Sequence, residues 1–176
     1  MSILARGAAL AAAPAFLLAL AAAVVPPAAL AAESATYTVR ELTPETALKA
    51  AQAALASCRA SGYQVTVTVV DREGLVRVLL RDRYAGPHTV DGATHKAWTA
   101  ASTRTPTAEV EKLTRPGMPL SGLRQVPRIT AIAGGLPIEA GGSLLGAIGV
   151  SGAPGGDADE GCAKAGLKAI SDDLEF

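Results

Sequence analysis

Aromatic side chains are scarce: one Trp, three Tyr and two Phe, 3% of the 176 residues. So few rings exclude the stacking platforms on which single-stranded nucleic acids are held. An excess of either charge is equally absent. Sixteen basic residues balance sixteen acidic ones, for a formal net charge of zero, which excludes the basic surplus of a typical phosphate-backbone binder. Histidine and cysteine occur only twice each. Beyond the N-terminal stretch, no apolar run is long enough to span a bilayer. What the chain does have is a 49% hydrophobic fraction, too much apolar material for a disordered polypeptide despite its 11 Pro and 18 Gly.

That apolar material is unevenly placed. Fifteen of the first 32 residues are Ala, and Arg6 is the only charged side chain between Ser2 and Ala32. Residues 7–25 form an apolar run broken by Pro26-Pro27, and Ala29-Leu30-Ala31 fits the small-x-small rule. The expectation is a secretory signal over residues 1–31, cleaved after Ala31, with a retained anchor as the alternative. Residues 32–176 then form a single domain, localised to the periplasm or secreted. In an exported chain the even cysteine count favours a Cys58–Cys162 disulfide over two buried thiols. The long loop it closes is worth about 4–5 kcal/mol on the chain-entropy argument.

Thr43-Pro44-Glu45 starts a helix: a capping hydroxyl, a Pro suited to the first turn, and an acid at the positive dipole end. Leu48, Ala51, Leu55 and Cys58 recur at helical spacing up to Gly62. Residues 65–71 alternate Val with Thr, Asp71-Arg72-Glu73-Gly74 turns the chain, and residues 76–81 return as a second strand. Helices follow over residues 91–104 and from Thr105-Pro106 to about Leu113. Residues 114–128, rich in Pro and Gly, read as a loop and a candidate lid. Three strands are expected at 130–133, 136–140 and 143–151, cornered by Gly134-Gly135 and Gly141-Gly142. Asp157 is expected to cap a last helix, with Glu160 completing a capping box. Its apolar face includes Cys162, which would bring it alongside Cys58. The fold class is α+β, because strands joined by tight turns must pair antiparallel.

His88 and His95, seven apart with Asp91 between them, would share a face if a helix began by His88, and could then hold a divalent metal. Haem iron asks for less, one imidazole at the mouth of an apolar cleft, and His88 on the loop is the better placed candidate. Met118 is a weaker axial candidate. Lys96 and Thr99 follow His95 on the same helix and offer a cation and a hydroxyl to an anionic ligand such as a propionate. Gly149-Val150-Ser151-Gly152 fails as a nucleophile elbow because Ala153 stands where Gly is required. The glycines nearby do not match the dinucleotide fingerprint.

Lys96-Ala97-Trp98-Thr99-Ala100, Gly134-Gly135-Leu136-Pro137-Ile138, residues 146–152 (Gly-Ala-Ile-Gly-Val-Ser-Gly), Asp159-Glu160-Gly161-Cys162-Ala163 and Ala165-Gly166-Leu167 together resemble the GlcG/HbpS-like family, over about residues 40–172. That family includes extracellular haem-binding proteins and the C-terminal domain of PduO-type proteins. The resemblance implies a profilin-like three-layer α/β/α fold with a five-stranded antiparallel sheet. It also implies homo-oligomers, often octamers, and haem or a related tetrapyrrole as cofactor in some members, with Thr or His as axial ligand. Lys96, Gly134, Gly135, Gly149 and Ser151 match its motifs. His88 and His95 lie outside them, so an iron ligand there rests on imidazole chemistry alone. The Cys58–Cys162 pair resembles a feature of exported members.

The leading expectation is an exported oligomer that binds haem, with His88, His95, Lys96, Thr99, Gly134, Gly135 and Ser151 as candidate site residues and His88 on the iron. No catalytic residue is assigned. One alternative is an accessory or enzymatic protein acting on a small organic acid. It would need an acid/base pair converging on the Gly134-Gly135 corner. The other is an extracytoplasmic partner of a membrane sensor.

Overall fold

Alternation along the first strand decides how the layers form. Val67 and Val69 point to one side and join an apolar core, while Thr66 and Thr68 point to the other and meet hydroxyls of a helix. In the computed structural model, which describes residues 34–174, this strand is β1 (Thr66–Asp71). It lies in a four-stranded antiparallel sheet of order β2-β1-β4-β3, with β2 at Val76–Arg81, β3 at Gly135–Ala140 and β4 at Ser143–Ser151. Helices α1 (Pro44–Ala60) and α4 (Gly156–Ile170) cover the Val67 side, and α2 (His88–Thr103) covers the Thr66 side, followed by the short α3 (Thr107–Leu113). The expected signal segment, residues 1–31, lies outside the described residues, among which no helix is long and apolar enough to cross a membrane.

Local chemistry explains most boundaries. Thr43 caps α1 by accepting from the Thr46 N–H at 3.2 Å, with Pro44 in the first turn. The buried stripe of α1 is Ala47, Ala50, Ala51, Ala54, Leu55 and Cys58. Leu48, expected on that stripe, is 38% exposed. Gly74 turns β1 into β2 with φ +82°, a conformation that costs glycine little. Gly166 lets α4 approach α1 until a Cβ there would stand 2.7 Å from the Ala50 carbonyl. That approach leaves Cys58 and Cys162 with Cα atoms 5.4 Å apart, joined in a disulfide.

Three expectations need correction. Among the described residues the sheet has four strands, not five: residues 130–133 pair with no strand. The backbone N–H of Thr130 is taken by the Thr99 hydroxyl at 2.9 Å, so a helix side chain replaces a neighbouring strand. Helix α2 begins one turn earlier than residue 91, at His88, because Pro87 supplies a helical φ of −60°. Asp157 does not cap α4. Gly155 occupies the N-cap with no side-chain bond, and Glu160 pairs with Lys164 one turn on rather than reaching back. The expected loop 114–128 holds one 3-10 turn, Ser121–Gln125.

Candidate functional site

Helix α2 rests on the sheet at a distance only glycine permits. A Cβ on Gly149 would stand 2.1 Å from the Ala93 carbonyl oxygen and 2.5 Å from the Ala97 nitrogen. Similarly, a Cβ on Gly92 would stand 2.5 Å from Ser151 Oγ. The helix start is tied down by Thr89, whose hydroxyl donates to the Gly86 carbonyl at 2.6 Å and lies 2.7 Å from Thr66 Oγ1. Two consequences follow for the side chains. His88, in the first turn, is exposed with its imidazole against Gly86, where a Cβ would stand 2.7 Å from Cε1. Lys96, two turns on, is driven inward on the same stripe as Ala93 and Ala97 and is only 3% exposed.

A lysine so deeply buried requires a partner. Its Nζ donates to Asp159 Oδ2 at 2.7 Å and to the Val150 carbonyl at 3.0 Å. Asp159, itself 3% exposed, takes the Ala153 N–H on its other oxygen at 3.0 Å. Burial pushes the Asp159 carboxyl above its usual range, with the Lys96 hydrogen bond and charge pulling the other way. Gly134, at φ +119°, makes room for the pair: a Cβ there would stand 2.7 Å from Asp159 Cβ and 3.0 Å from Lys96 Nζ.

Above this ion pair opens a cleft of about 360 Å³. His88, Gly92 and Lys96 of α2 form one side, Ser151 and the Gly152–Gly156 turn another, and Thr130 and Ile132 the third. Of the candidate site residues, His88, Lys96 and Ser151 therefore meet in one place, with Gly134 directly behind them. Gly135 is buried against α2, where a Cβ would stand 2.4 Å from the Lys96 carbonyl. Thr99 is fully buried, donating to the Arg128 carbonyl at 3.3 Å and accepting from the Thr130 N–H. His95 is half-buried, and neither it nor Met118, 41% exposed, lines the cleft.

The early start of α2 does not assemble a metal triad from His88, Asp91 and His95. Among the described residues the one group of three close ligand atoms is Glu41, Asp71 and Glu73, and Arg77 ion-pairs with both Glu41 and Asp71. Hollows of about 390 and 400 Å³ lie elsewhere, against Leu167 and against Thr43. Their charged lining residues are exposed at the surface, so neither carries a buried ionic group. Asp159 is the site residue that the sequence reading missed, because an acid near a helix start reads as a cap. The signal that points to it is Lys96, a cation placed on a stripe of buried alanines.

A family model described as "Haem degrading protein HbpS-like" matches residues 42–168. The crystal structure of a double mutant of Streptomyces reticuli HbpS is similar to this chain at 41% identity and a TM-score of 0.72, covering 85% of this chain and 99% of that one. Klebsiella pneumoniae protein ORFY is similar at 30% identity and TM-score 0.75, over 78% and 96% of the two chains. A PduOC:heme complex is similar at 28% identity and TM-score 0.70, over 74% and 95%. With most of its length matched by the family and by solved members in both sequence and fold, the chain belongs to the HbpS-like family.

Proposed function

We propose that the protein is an exported, disulfide-stapled homo-oligomer, built on a profilin-like three-layer frame, that binds haem or a similar tetrapyrrole in the cleft beside His88. The observation that carries this reading is the convergence of an exposed imidazole, an exposed Ile132 (53%) and a wall of Gly152, Ala153, Gly155 and Gly156 around one opening. Small residues leave a smooth wall for a flat ring, Ile132 offers apolar contact, and a neutral imidazole nitrogen is an axial donor to iron. Similarity to a protein crystallised as a heme complex supports the same ligand class.

The residues present fit the group. His88 would hold the iron, and Lys96 and Ser151 would stand nearest the propionates, while Thr99 contributes through the Thr130 wall that it holds. Bound haem would supply a redox-active iron at the mouth of the cleft. The chain's own part is to orient the ring and to exclude water from its inner edge. Export is supported by the Ala-rich opening and by the paired cysteines, which persist in oxidising compartments. Oligomerisation is supported by Leu75 (66% exposed) and Val76 (48% exposed), where the chain turns into the outer strand of the sheet.

Titration of the purified protein with hemin tests the reading. A saturable Soret shift is expected, altered in position and weakened in His88→Ala. No shift, or an identical spectrum in His88→Ala, rejects the site. A second reading, action on a small organic acid, has one observation in its favour: Lys96 and Asp159 meet at Gly134. Calorimetric titration with two- and three-carbon oxo-acids separates the two, since heat of binding without a hemin Soret shift selects the acid.

A further inference from the structure

Residues 130–132 form one wall of the cleft, yet no strand holds them. Helix α2 does. Thr99 Oγ1 bonds both the Arg128 carbonyl and the Thr130 N–H. One residue earlier on the helix, Trp98 lies under the Arg128 guanidinium, 4.7 Å from ring centroid to Cζ. Arg128 makes this contact at φ +72°, a left-handed conformation that a non-glycine side chain keeps only where its surroundings over-determine it. Trp98 is backed from below by the β1–β2 turn, where a Cβ on Gly74 would stand 2.5 Å from its Cδ1. The opposite wall is pinned separately, through Asp159 and the Ala153 N–H. Two neighbouring α2 side chains thus suspend one wall while Lys96 and Asp159 fix the other.

We propose that residues 128–132 are the adjustable wall of the cleft, and that Thr99, Trp98 and Arg128 are positioning residues that set its width for a flat apolar ligand without touching that ligand. This rests on the tetrapyrrole reading above. The mechanism is mechanical. Without the Thr99 hydroxyl, the Thr130 N–H loses its partner, and without the guanidinium over Trp98 the wall loses its second anchor on α2. Either change lets Ile132 drift from the position at which it flanks the opening.

Hemin titration of wild type, Thr99→Val, Thr99→Ser and Arg128→Gly tests the proposal, with tryptophan emission as a second readout, because Trp98 is the only Trp of the chain. Thr99→Val is expected to weaken hemin on the order of tenfold, and Thr99→Ser to restore it to within about threefold. Arg128→Gly accepts the backbone conformation, so its melting temperature should hold while Trp98 emission shifts and hemin affinity falls about fivefold. Should Thr99→Val fail to fold, Arg128→Gly carries the test. Wild-type affinity in the folded variants overturns the inference alone. No Soret change in wild type overturns the tetrapyrrole reading and takes the inference with it.

Discussion

Toward α1 and α4 the sheet presents Val67, Val69, Leu136, Ile138, Ile148 and Val150, all buried in one apolar cluster closed by the Cys58–Cys162 disulfide. Toward α2 it presents Thr66, Thr68, Gly149 and Ser151, met by alanines, by the hydroxyls of Thr89 and Thr94, and by Lys96. The first face follows the ordinary logic of burial, roughly 25 cal/mol for each Å² of apolar surface removed from water. The second gives up side-chain volume for close backbone approach and buries polar groups that must be satisfied one by one. The difference teaches where each task sits. One face supplies stability that is tolerant in detail, and the other holds the cleft, where the buried Lys96, Asp159 and Thr99 each have an assigned partner.

That division can be broken in three ways, and the largest effect lies on the α2 side. Lys96→Met leaves the Asp159 carboxylate buried without its cation, and should cost roughly 3–5 kcal/mol in urea denaturation. Adding Asp159→Leu should recover most of the loss, since an uncompensated charge and not the missing pair is the main penalty. A single variant within about 0.5 kcal/mol of wild type would show that the two faces obey the same rules after all. Next comes the other side. Cys58→Ser with Cys162→Ser should cost about 2–5 kcal/mol, with the chain-entropy figure at the upper end, yet leave the hemin spectrum of the folded protein unchanged. A changed spectrum would mean that the stapled layer reaches the cleft.

The smallest effect is in acid, where the two faces should respond with opposite sign. On the α1 side, the Arg59 guanidinium donates to both oxygens of Asp82 at 2.8 Å and holds its carboxyl down at about 2. A depressed carboxyl contributes stability that is complete above the usual carboxylate range and is lost as pH falls toward about 2. On the α2 side, Asp159 lies above its usual range, so the folded state binds its proton first. Its contribution therefore grows as pH falls through the interval just above that range. Denaturation midpoints followed from neutral pH into acid should show Asp82→Asn flattening the acid loss and Asp159→Asn removing the opposing slope. The same change in both variants would count against the assignment.

Much of the frame was legible from residue order. Thr43-Pro44-Glu45 marked the start of α1, the Val–Thr alternation marked β1, and Gly74 marked its turn, because each depends on neighbours within a few residues. The cysteine pairing followed from two helices that both carry a Cys on an apolar stripe. Two of the failures share one cause. Residues 130–133 have a strand's composition but lose their ladder to Thr99, which is some 30 positions away in sequence. Asp159 sits in the first turn of α4, where an acid ordinarily only faces the helix dipole, but turns to Lys96, 63 positions away. In both cases a long-range partner outbid the local one, and no short window contains that partner.

The sequence by itself therefore determined the layers: period-2 and period-3.6 patterns, caps, turns and two cysteines decide which surfaces must be buried, and burial is a local property of the pattern. Only the tertiary structure decided the cleft. Its imidazole, ion pair and suspended wall come from α2, β4, α4 and the chain beyond Arg128, brought together where glycines at 92, 134 and 149 allow the segments to approach closely. Such a meeting depends on distances between segments far apart in the chain, which side-chain periodicity does not encode.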